Sequence, residues 1–110
     1  MTETAYEPRV KTFEPSQYEQ AALRAQEALS VAKHFKHHAD VCKSLGDLYA
    51  AMSAEPEEAL LASDFRYLQA RCEAAHGTVR RYAHPCNPAV LGHLSTAIEQ
   101  LKGAHATWTL

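Results

Sequence analysis

Apolar or small residues recur at Tyr18, Ala22, Ala25, Leu29, Ala32, Phe35, Ala39, Cys42, Leu45, Tyr49 and Met52, in steps of three and four. That spacing draws one stripe along a helix, so the pattern predicts a single amphipathic helix over residues 16–52. Its start is marked by Pro15 just outside and by Ser16 with Glu19, the spacing of a capping box. Gly46 is the weak point, because glycine inside a helix costs roughly 1 kcal/mol relative to alanine; the alternative breaks the helix there and folds the far part back. A turn is expected at residues 53–56, with Pro56 opening a second helix and Glu57 and Glu58 complementing its positive end. Leu61, Phe65, Leu68, Cys72, Ala75, Val79 and Tyr82 then form a heptad seam. Ser63 with Asp64 offers a later start, and Pro85 is the stop. Asn87 as cap and Pro88 at the first position open a third helix with Leu91, Leu94, Ile98 and Leu101 on its apolar face. Lys102-Gly103 reads as its end, although His105 and Trp108 continue the stripe.

These elements predict an all-α fold: a long antiparallel helical hairpin with a shorter third helix along its base, a three-helix bundle. Residues 1–15, with Pro8, Pro15 and the isolated apolar residues Tyr6, Val10 and Phe13, read as an extended N-terminal arm to the bundle domain of residues 16–110. A helix of about 35 residues is about 50 Å long, and a third helix of about 20 residues would leave the hairpin tip uncovered. Leu45, Leu48, Tyr49, Met52, Leu60 and Leu61 gather there. Burying one such side chain is worth about 1.5 to 3 kcal/mol, so the expectation is completion by self-association or by a partner protein. Leu48, Tyr49, Met52 and Leu60 are the predicted contacts, with Tyr6 and Phe13 on the arm as secondary ones.

Composition narrows the class. Hydrophobic residues make up 46% and charged residues 22% of 110 positions, near the globular average. The net charge of -2 gives no general pull toward duplex nucleic acid. No run of 18 apolar residues occurs and the first residues lack the pattern of a signal peptide, so a cytoplasmic location is expected. Three cysteines, two of them on apolar stripes, suit reduced thiols in a core rather than a disulfide framework.

Seven histidines are the one compositional oddity. His34, His38 and Cys42 lie four apart on the first helix, and Cys72 and His76 four apart on the second, so the pairs meet across the predicted seam as a nitrogen and sulfur set suited to zinc. The same set is compatible with haem. A basic, histidine-rich belt is expected from Lys33, Lys36, His37 and Lys43 with Arg66 and Arg71. Arg80, Arg81 and His84 precede the start of the third helix, where amides carry partial positive charge, and make a candidate site for a phosphate-containing ligand or nucleotide. His37 and Asp40 share a helix face, but no nucleophile motif, glycine-rich phosphate loop or metalloprotease helix accompanies them. The expectation is a non-enzymatic protein without a cofactor, acting through protein contacts as an adaptor, regulator, inhibitor or assembly component.

Overall fold

A computed structural model describes residues 16–54 and 59–108, with side chains through residue 106. The arm, including Tyr6 and Phe13, lies outside the described residues, as do Pro56, Glu57 and Glu58 and the side chain of Trp108. The chain is all-helical as expected, but it has four helices rather than three: α1 (Gln17–His34), α2 (Ala39–Ser53), α3 (Ala62–Arg80) and α4 (Asn87–Trp108). The capping box at the start of α1 is formed, Ser16 Oγ accepting from the Glu19 amide at 3.1 Å and Glu19 Oε1 from the Ser16 amide at 2.9 Å.

The predicted long first helix is therefore divided, and the division falls at residues 35–38 rather than at Gly46. Lys36 takes the left-handed conformation with φ of 56°. The His37 amide donates to the Ala32 carbonyl at 2.8 Å and the Lys36 amide to the Lys33 carbonyl at 3.1 Å. Those two bonds are the Schellman termination, with lysine where glycine usually stands. His38 caps α2 at once, its Nδ1 accepting from the Asp40 amide at 3.0 Å. Neither residue is a preferred one for its position, so no breaker signal was there to read. Gly46 lies inside α2, and a Cβ built there meets nothing within 4 Å.

Cross-helix contacts fix the topology. At one end Tyr18 donates to the Met52 carbonyl, and its ring meets Phe65 edge-on at 5.9 Å. Phe65 in turn lies 6.3 Å from the His105 ring. At the other end the 35–38 corner meets the 81–86 corner. The helices thus run up, down, up, down, with α1 against α2 and α4, and α3 against α2 and α4, the arrangement of a four-helix bundle. The core repeats by heptads in every helix: Tyr18, Ala21, Ala25, Ala28 and Ala32; Val41, Leu45, Leu48 and Met52; Phe65, Leu68, Cys72, Ala75 and Val79; Val90, Leu94, Ala97, Leu101 and Ala104. Alanines on α1 leave room for α4, its most extensive neighbour.

α3 begins later than Pro56, at Ala62, where Asp64 Oδ2 accepts from the Leu61 amide at 2.8 Å. α4 runs through Gly103 without stopping. The expected tip is largely covered: α1 folds back beside α2, and Leu45, Leu48, Met52 and Leu60 are buried, while Tyr49 is half-buried and Leu61 stays exposed. Among the described residues no helix is long and apolar enough to cross a membrane.

Candidate functional site

The end where the two corners meet concentrates the polar chemistry. His37 is buried, with 6% of its surface exposed, because it follows the left-handed Lys36 and is turned inward by the Schellman hydrogen bonds. Its Nδ1 accepts from the His38 amide at 2.8 Å, so in the neutral ring Nε2 carries the proton and donates to Asn87 Oδ1 at 2.6 Å. The Asn87 amide group donates in turn to the carbonyls of Tyr82 at 2.8 Å and Val79 at 3.5 Å. One histidine and one asparagine therefore join the exit of α1, the exit of α3 and the start of α4. His84 stacks on His37 with centroids 4.4 Å apart, and its Nδ1 accepts from the Cys86 amide at 3.1 Å. His38 stacks on Tyr82 at 3.9 Å, whose hydroxyl donates to Asp40 Oδ2 at 2.5 Å. That hydrogen bond holds the Tyr82 hydroxyl above its ordinary pKa. Burial does the same for the Cys86 thiol.

Among the described residues His37, His84 and Cys86 form a group whose ligand atoms lie within 4.8 Å of one another. The donor types suit a thiophilic ion, but the surroundings do not. A histidine that ligates through one nitrogen donates from the other to a carbonyl or carboxylate. Here the Nδ1 atoms of both rings face amide N–H groups, so each ring's lone pair in the neutral form is already engaged and a metal would displace a hydrogen bond from both. The cluster fits a corner lock better than a metal centre.

The ligand set expected from spacing is not brought together. His34 is exposed and meets Phe35 edge-on, and His38 caps α2. Cys42 is half-buried and turned to the His37 carbonyl at 3.7 Å. Cys72 is fully buried in the seam, which pushes its thiol up to about 12, and His76 lies 3.5 Å from Ser95 on the outer side of α3 and α4. The division of the first helix removed the geometry on which that pairing rested.

The expected anion site loses its donors as well. His84 is held in the corner, and around the α4 start the amides of Cys86, Asn87, Ala89 and Val90 all donate internally, while Pro88 has none to offer. Arg81 instead lines a groove of about 490 Å³ between α2 and α3, together with Asp40, Lys43, Ser44, Asp47, Arg71, Ala74, Thr78 and Tyr82. Arg80 is exposed away from it. The basic belt is only partly assembled: Lys43 and Arg71 share this groove, and Lys33, Lys36, His37 and Arg66 do not line it.

The predicted contacts fare unevenly. Leu48, Met52 and Leu60 are 1%, 1% and 5% exposed and cannot meet a partner in this conformation, whereas Tyr49 is half-buried. Among the described residues the large apolar ones that are exposed are Leu23, Phe35, Leu61 and Tyr67. Comparison with protein-family models, with curated proteins and with solved structures finds no match to this chain.

Proposed function

We propose that this chain is a non-enzymatic helical bundle that works through protein contact, and that its contact face is the outward side of α3, which receives an acidic segment of a partner. The observation that carries this reading is a set of arginines without carboxylate partners on one helix and its exit. Arg24, Lys43 and Lys102 each meet a carboxylate within 3.5 Å. Arg66, Arg71, Arg80 and Arg81 have no carboxylate partner among the described residues. Leu61 and Tyr67, 65% and 54% exposed, flank Arg66 in the sequence at the start of the same helix. Arginine with an exposed aromatic ring is the pairing that protein interfaces favour, because the guanidinium reads carboxylates and the ring supplies rigid apolar area.

Self-association loses its main support with the tip enclosed, so the pure protein is expected to sediment as a monomer. Titration with a glutamate-rich peptide should shift amide resonances along the exposed side of α3, and the double substitution Arg66→Glu with Tyr67→Ala should abolish the response while leaving the thermal midpoint unchanged. A response that survives the double substitution, or that maps to α1 and α4, would overturn the reading.

A further inference from the structure

We infer that the groove between α2 and α3 binds a small molecule through a phosphoryl group, with Arg71 and Arg81 as its principal ligands. The groove is within the size range of small-molecule sites at about 490 Å³. Its charges are unequally satisfied. Asp47 is held by Lys43 at 3.0 Å and Asp40 by the Tyr82 hydroxyl at 2.5 Å. Among the described residues Arg71 makes one side-chain hydrogen bond, to the Tyr67 hydroxyl at 3.0 Å, and Arg81 has no carboxylate partner. Two guanidiniums with unused donors therefore face a cleft whose carboxylates are already engaged. A planar guanidinium offers paired N–H groups that match phosphate oxygens. Ser44 and Thr78 line opposite walls of the groove; the Ser44 hydroxyl is a neutral donor, while that of Thr78 donates to the Ala74 carbonyl at 3.1 Å. The helical spacing explains the placement, since positions 71, 74, 78 and 81 fall on the stripe of α3 that faces α2.

This inference shares Arg71 and Arg81 with the protein-contact reading, and the two are told apart by Leu61 and Arg66, which do not line the groove. The test uses the full chain titrated with inorganic phosphate and pyrophosphate, followed by amide chemical shifts at constant ionic strength set with chloride. Saturable shifts are expected at Ser44, Arg71, Thr78 and Arg81, stronger for pyrophosphate. Arg71→Gln and Arg81→Gln should each weaken the apparent affinity roughly tenfold or more, and Arg66→Gln should leave it unchanged. Far-ultraviolet circular dichroism establishes that each variant is folded. Shifts that never saturate, that cluster at residues 84–90, or that respond equally to Arg66→Gln would overturn the assignment.

Discussion

Lys36 and His37 decide where this chain turns. A non-glycine residue in the left-handed region costs about 1 to 2 kcal/mol, so Lys36→Gly relieves strain while loosening the unfolded chain. The net expectation is a gain of about 0.5 to 1 kcal/mol in urea-induced unfolding. His37→Ala acts in the opposite sense. It opens a buried space and leaves Asn87 Oδ1 without its donor, for an expected loss of about 2 to 4 kcal/mol. Asn87→Ala should be similarly costly, and the double variant should lose much less than the sum of the two, because both remove the same bond. Additive losses in that cycle would show that the bond does not couple the corners. Cys72 supplies a pH dependence. Its thiol ionises near 9.0 in the unfolded chain and is pushed up to about 12 in the fold, chiefly by burial. Between those values the unfolded state has lost a proton that the native state keeps, so stability falls as pH rises through the window, by about 1.4 kcal/mol per unit for this group alone. Urea midpoints measured from pH 8 upward should show the decline, and Cys72→Ala should flatten it.

At the level of the element, three glycines sit inside helices with open space around them. A Cβ at Gly46, Gly77 or Gly92 meets nothing within 4 Å, so alanine at each position should raise stability by about 0.5 to 1 kcal/mol, additively, in thermal unfolding. Much at this scale was legible in advance. The capping box of Ser16 and Glu19 is formed, and the seam from Phe65 to Val79 is the buried stripe of α3. The break in the first helix was not legible, because its left-handed residue is lysine and its cap is histidine. The phase of the stripe did carry the information. Buried apolar positions step by three and four from Tyr18 to Ala32, then jump nine residues to Val41. A stripe drawn through Phe35 and Ala39 bridged that jump with residues that the fold leaves exposed. The apolar face of α4 was read one residue out of register at two places, since Val90 and Ala97 are buried where Leu91 and Ile98 are only half so; the larger side chains straddle the boundary of the core.

For the whole molecule, the missed break in the first helix propagated. A continuous rod would leave a greasy end in need of a companion, whereas the divided one supplies its own fourth helix and encloses Leu45, Leu48 and Met52. The site residues were misplaced for the same cause: His37 and His84 are 47 positions apart in the chain, and only the up-and-down topology brings both corners to one end. What local pattern could show was which residues are polar, cationic or ring-bearing; which of them meet was a property of the fold.

The four-residue corner has one more consequence. If Lys36 returned to ordinary helical geometry, α1 and α2 would merge into the continuous rod that the stripe suggests, and two such chains would restore the core by exchanging their N-terminal helices. Deleting Lys36 and His37 should force that outcome, and the shortened chain is expected to sediment as an intertwined dimer with unchanged helical content while the parent remains single.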